Sequence, residues 1–307
     1  MMKMRTNNLI LLLLPLCIPF TLKAQDNGEK KQWYDRLGEW VSATPWEYEE
    51  PLPVTHTKVL LQFGDQGIVD EYLSPISHNG WQMTTTAITD YALRAGRHWH
   101  LYQEVMLTMG INKNGANGTK MEVIRGEYSL GPSWRVLRKG DFTLDLAPLF
   151  NLQLQGNRKS SNFNNYGNGK GSFGLDGWAR LRYRIPWKVS KIALSYSMQM
   201  SFLHGTFHPD YGQSYYEYVS GENRSPFQFH VTSLHNDVTF RQRLLVDIPI
   251  HHLTLTMGAE HFYQKQRLSQ TRFIQGYWGI VFGISFDSFY ISGGRSASSS
   301  SISSSLY

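Results

Sequence analysis

Arg180, Arg182 and Arg184 recur at every second residue. Side chains of an extended strand point alternately to its two faces, so these three guanidinium groups share one face. Arg135, Arg241 and Arg243 fall at equivalent positions beside short links of other alternating segments. Glu104, Glu127, Asp145, Asp176 and Asp247 place carboxylates on the same kind of face. Two chemistries follow from one constellation. A ring of arginines would form a basic constriction favouring a small anionic solute, since rings of like charge set pore selectivity. Alternatively the acids neutralise the arginines and fill the interior, because buried charges must be paired.

Other residue sets are thinner. His98, His100 and Glu104 share a strand face with spacing a divalent metal could use, but one strand supplies only part of a coordination shell. His251 and His252 have opposite parity and do not converge. Ser195, Ser197 and Ser201 could act as nucleophiles only beside a histidine and an orienting acid, and no nucleophile-elbow motif accompanies them. Tyr211, Tyr215, Tyr216 and Tyr218 crowd one segment with Asp210 and Glu217, which suits a binding loop or a loop ordered by its own packing. No catalytic set, metal site or cofactor is expected.

Strands must position these groups. Phe142 to Leu154 alternates cleanly: Phe142, Leu144, Leu146, Pro148, Phe150, Leu152 and Leu154 oppose Thr143, Asp145, Ala147, Leu149, Asn151 and Gln153. The same pattern recurs at Thr57–Phe63, Gly80–Leu93, Arg97–Ile111, Met121–Val136, Phe173–Ile185, Ile192–His204, His252–Gln264 and Thr271–Phe286. Phe227 to Val246 slips parity near Leu234 to Asp237 and reads as one bulged strand. The final Phe289 to Tyr307 has room for two more short strands, although Ser298 to Ser305 is of low complexity. Links such as Arg94-Ala95-Gly96 and Arg138-Lys139-Gly140-Asp141 are tight, whereas Gln155 to Gly171 and Gly205 to Pro226 are long and polar. Short turns on one side and long loops on the other, with an apolar outer and a polar inner parity, predict a closed antiparallel transmembrane β-barrel of about twelve strands. Trp99, Trp134 and Trp187 lie beside tight turns, where an aromatic girdle is expected.

The N-terminus has Lys3 and Arg5, an apolar run from Leu9 to Phe20, and a small residue, Ala24, before Gln25. That layout predicts a cleaved signal peptide over 1–24. Cys17 is the chain's one cysteine and falls inside it, so disulfides and thiolate metal sites are excluded from the remainder. Residues 25–53 read as a separate N-terminal segment, with Trp33, Leu37, Trp40 and Val41 on one helical face, and the barrel as 54–307. Lys and Arg number 30 against 24 Asp and Glu; without Lys3, Arg5 and Lys23 the excess is +3. That is too mild for nucleic acid.

These features resemble the outer-membrane β-barrel proteins of Gram-negative bacteria. More narrowly, Asp70-Glu71-Tyr72-Leu73-Ser74-Pro75 followed by His78-Asn79-Gly80 is similar to a motif of an uncharacterised Bacteroidota barrel family. Such barrels close with an alternating strand ending in an aromatic; Tyr307 fits that pattern and the serines before it depart from it. The resemblance implies an outer-membrane location, with membrane lipid and the barrel-insertion machinery as partners. The function expected is a structural, binding or narrow-pore barrel with a basic, partly salt-bridged lumen. An outer-membrane lipid- or ester-modifying enzyme and a secreted soluble β-barrel are the alternatives.

Overall fold

The computed structural model describes residues 55–93, 98–159, 161, 166–185, 192–208, 228–250, 253–268 and 271–288. The readings made above for 1–24, 25–53, Trp187, the tyrosines of 211–218, His251, His252 and 289–307 lie outside them.

The strands are β1 (Thr55–Asp70), β2 (Ser74–Ala92), β3 (Trp99–Lys113), β4 (Lys120–Lys139), β5 (Phe142–Arg158), β6 (Gly167–Arg184), β7 (Ala193–His208), β8 (Gln228–Ser233), β9 (Asp237–Ile250), β10 (Leu253–Leu268) and β11 (Thr271–Ser288). β1 to β8 pair antiparallel in chain order, β9 pairs β7 and β10, β10 pairs β11, and β11 pairs β1 over its whole length from Thr55↔Ser288 to Asp70↔Phe273. The sheet is therefore a closed barrel. β8 and β9 lie end to end along β7: Ser233 faces Leu203 and Phe240 faces Met200. Residues 234–236 are the bulge between them, at the position where the sequence parity slips.

Ten strands close the ring and β8 prolongs one of them, against the expected twelve or so. The difference lies in the two strands sought in 289–307. Both edges of β1 are already occupied, by β2 and β11, so the described ring is complete without them.

Several strands run further than their alternation indicates. β1 continues from Phe63 to Asp70 and β2 begins at Ser74, so a stretch expected to be a connection is hairpin with a three-residue turn. The reason lies on the outer face. Near the tight turns it carries Val59, Leu61, Phe63, Leu146, Leu181, Ile280, Phe282 and Ile284, all exposed. Toward the loop end the same parity becomes Asp65, Lys113, Lys120, Glu122, Arg158, Lys265 and Arg272. Where both faces are polar the period-two contrast fades, although pairing continues. The 20 residues of β4 span roughly 50 Å of height at a strand rise of about 3.3 Å and a tilt of about 40°. The apolar band occupies the tight-turn part of that height. Trp99 stacks on Trp134 at 5.9 Å and Phe142 on Tyr183 at 4.4 Å near the tight turns; Trp278 packs on His261 at 4.3 Å toward the other border.

Inward glycines let the wall coil around this narrow interior. A Cβ on Gly64 would lie 1.8 Å from the Trp278 carbonyl oxygen on β11, so β1 and β11 approach as they do because no side chain intervenes.

Candidate functional site

The inward face is where the chain concentrates its chemistry, and it is solidly occupied. At the tight-turn end Asp145 on β5 accepts from Arg135 Nε at 2.9 Å and from Arg180 Nη2 at 2.9 Å. Arg180 also reaches across to Asp90 on β2 at 2.5 Å, and Arg182 stands 3.4 Å from Asp145 and 3.7 Å from Asp90. His100 Nδ1 is 3.7 Å from Asp90. On the opposite wall Lys58 donates to both oxygens of Asp247 at 2.7 and 2.9 Å, and Thr256 adds a hydroxyl at 2.6 Å.

Above these pairs lies an apolar layer: Leu60, Ile88, Tyr102, Ala147, Leu149, Trp178, Leu245 and Val281. Leu149 is 0% exposed, and Trp178 packs on Tyr102 with ring centroids 4.5 Å apart and planes tilted by 37°. Six strands supply it the same way, with an apolar residue at period two from a charge: Lys58–Leu60, Ile88–Asp90, Tyr102–Glu104, Asp145–Ala147, Trp178–Arg180, Arg243–Leu245–Asp247.

A second charged layer follows. Arg243 binds Glu104 at 3.0 Å and Glu260 at 2.6 Å; Tyr277 donates to Glu260 at 2.9 Å. Arg241 and Arg125 share Glu127, at 2.7 and 3.0 Å, and Arg125 lies over the Phe262 ring at 4.1 Å. Tyr102 donates to Glu104, joining the two layers. Asp176 takes Gln199 and His204, each at 2.6 Å.

The loop end is stoppered. Asp70 accepts from Asn157 at 2.7 Å and Asn168 at 3.0 Å, and pairs with Lys170 at 3.2 Å, while Lys170 caps the Phe273 ring at 3.4 Å. Ile68, Tyr72, Leu73, Met121, Val123 and Phe273 form a second apolar cluster. The β1–β2 turn folds Tyr72 and Leu73 into the mouth, and Glu71, pointing out, is tied to Arg272 at 3.1 Å. The Asp70–Pro75 motif singled out by sequence is this stopper.

The arrangement corrects the expectation of a basic lumen. The arginines do not form one ring: Arg135, Arg180 and Arg182 belong to the lower layer, Arg241 and Arg243 to the middle one, and Arg184 is half-buried at the rim. Asp176 and Asp247, sought as arginine partners, take His204 and Lys58 instead. Buried Asp70, Asp90, Asp237 and Glu260 add acid that the initial constellation omitted. All four occupy the inward parity of their strands; Glu260 and Asp90 are legible there, whereas Asp70 falls in an expected connection and Asp237 at the parity slip of the expected bulged strand. Two interior cavities, one lined by Gln153, Lys170 and Gln266 and one by Glu127, Asp176 and Arg241, measure ≈ 10 Å³ each, about the room of one water.

The metal and nucleophile candidates do not assemble. His98 is exposed, His100 is buried beside Asp90, and Tyr102 separates it from Glu104; among the described residues no group of three ligand side chains could hold a metal. Ser201 Oγ accepts from the Thr239 N–H at 3.0 Å and donates to the Asp237 carbonyl, which secures the bulge. Neither Ser195 nor Ser197 has a side-chain hydrogen bond to a described histidine.

Several solved structures are similar to this chain. The outer membrane protease OmpT from Escherichia coli is 6% identical, with a TM-score of 0.49 covering 78% of this chain and 97% of that one. The transport unit of the autotransporter AIDA-I from Escherichia coli is 8% identical, with a TM-score of 0.42 over 87% and 100%. The toluene transporter TodX of P. putida is 7% identical, with a TM-score of 0.30 over 78% and 90%. No curated protein matches the chain. One family model matches residues 9–273, most of the length, and the chain therefore belongs to the family described as Protein of unknown function (DUF3316).

Proposed function

We propose that this protein is an outer-membrane β-barrel with a sealed lumen, a structural or binding scaffold that neither conducts nor catalyses. The observation that carries the reading is the Tyr102–Trp178 layer, closed between two sets of paired charges, with a cavity of only water size among the upper set. An ion would have to cross apolar packing and displace buried ion pairs at the same time, so a small anionic solute has no route. The outward apolar band supports the membrane: exposed Phe282, Ile280 and Leu146 would otherwise be a very large water-exposed patch. Membrane lipid then surrounds the band, and the barrel-insertion machinery, reading a chain exported by its N-terminal signal, places it there. The likeness of the Asp70–Pro75 motif to Bacteroidota barrels belongs to the same proposal.

Two measurements test it. Cell fractionation should return the protein with the outer membrane and only in detergent extracts. Purified protein in a planar bilayer should show no unitary current. Stepwise conductance would refute the sealed lumen, and a protein soluble without detergent would refute the membrane assignment.

A further inference from the structure

We propose that the outward face of the β3–β4 hairpin binds the phosphate of an anionic lipid through Lys113 and Lys120. This rests on the membrane reading above. The two lysines are direct cross-strand partners, both exposed and both on the outer parity. Like charges placed directly opposite repel across the few ångströms between their strands. Among the described residues neither has a carboxylate partner, and the next pair along the row, Glu122 with Arg158 at 3.6 Å, is already self-neutralised. An anion from outside the chain is what the pair lacks.

Its height in the wall says which anion. Ile111 and Ile124, two and four residues below on the same strands and the same outer parity, are exposed members of the apolar band. Lys113 therefore stands one step of the outer row beyond Ile111, and Lys120 two steps beyond Ile124 past the Arg158-paired Glu122, at the level where a bilayer places its phosphates. The connecting loop keeps them there. Asn114 N–H donates to the Thr119 carbonyl at 2.9 Å, the Asn114 side chain accepts from the backbone of Ala116 and Asn117, and its amide donates to the Ser77 carbonyl at 2.7 Å. Gly118 takes the positive φ of 67° that closes the turn. The two ammonium groups thus project from a fixed frame, and a monoester phosphate between them would satisfy both while its acyl chains lie on Ile111 and Ile124.

The test is native mass spectrometry of the full chain in neutral detergent. Phosphatidic acid, the matched diacylglycerol and inorganic phosphate are offered separately. Wild type should retain phosphatidic acid in preference to diacylglycerol. K113Q and K120Q should each lower retention about fivefold, and the K113R/K120R double variant should keep it. Unchanged retention in the K113Q/K120Q double variant overturns the proposal, and so does equal, lysine-dependent binding of inorganic phosphate, which would mean an adventitious ion only. Insertion into vesicles of phosphatidylcholine alone, read by protease protection, checks the membrane assignment independently. Failure there removes both readings; success there with no lysine effect removes only this one.

Discussion

Arg243 on β9 crosses the lumen to Glu104 on β3, Nη2 to Oε1 at 3.0 Å, while its Nε holds Glu260 on the neighbouring strand at 2.6 Å. One guanidinium thus braces walls separated by 139 positions in the chain. Glu104→Gln should destabilise the folded barrel by about 3–5 kcal/mol, because it leaves a buried cation half-compensated. Glu104→Gln with Arg243→Met should recover much of that loss, since the uncompensated charge goes too. Urea unfolding from lipid vesicles reads both. A double variant no better than the single would show that the pair contributes nothing beyond packing.

The apolar layer makes a separate claim about water. Trp178→Ala should cost about 3–5 kcal/mol through the cavity it leaves. It should also open the interior. A cysteine at Ser129, buried above the layer, should resist a small polar thiol reagent in the parent and react readily once Trp178 is alanine. Equal labelling rates in the two backgrounds would mean that the layer is not the seal.

Closure of the wall depends on a missing side chain. Gly64→Ala should prevent β1 from docking on β11, because the new methyl meets the Trp278 carbonyl at 1.8 Å. Gly126→Ala should be tolerated, since nothing lies within 4 Å of its Cβ position. Heat-modifiable gel mobility, which reports the closed barrel, should be lost in the first variant and kept in the second.

Sidedness can be checked by charge. Ile280→Lys, on the exposed face of β11 at 59% accessibility, should cost about 2–4 kcal/mol in vesicle folding if that face meets hydrocarbon. The same change at the upper border of the band, Ile111→Lys, should cost less. Equal and negligible costs at both sites would remove the apolar band from the membrane.

The strands were legible where they carry the band. Leu146, Leu181 and Ile280 face outward as their alternation indicated, and the parity slip at 234–237 is a bulge secured by Ser201. Legibility fails above the band. There Gln66, Ile68 and Asp70 point in while Asp65 and Gly67 point out, and no hydropathy contrast marks the faces. The fate of the arginines was not legible either. Inward parity can be read from one strand, but which acid each guanidinium meets depends on how distant strands stagger around the ring. Arg180 finds Asp90 and Arg243 finds Glu104 only after closure. The alternation of charge and apolar residue on the inner parity was present all along, in Arg243–Leu245–Asp247 above all. It becomes a layer only when strands from around the ring bring these residues together.

That staggering has a consequence for biogenesis. Lys58 and Asp247 are 189 residues apart, so the first strand carries an orphan ammonium until the ninth arrives. A partly assembled sheet is therefore electrically unfinished inside, and a shift of one residue between the terminal hairpins would swing every such charge to the outer wall. The interior salt bridges thereby proofread the seam: only the correct join discharges all of them, and a mis-zipped intermediate retains a reason to come apart and try again.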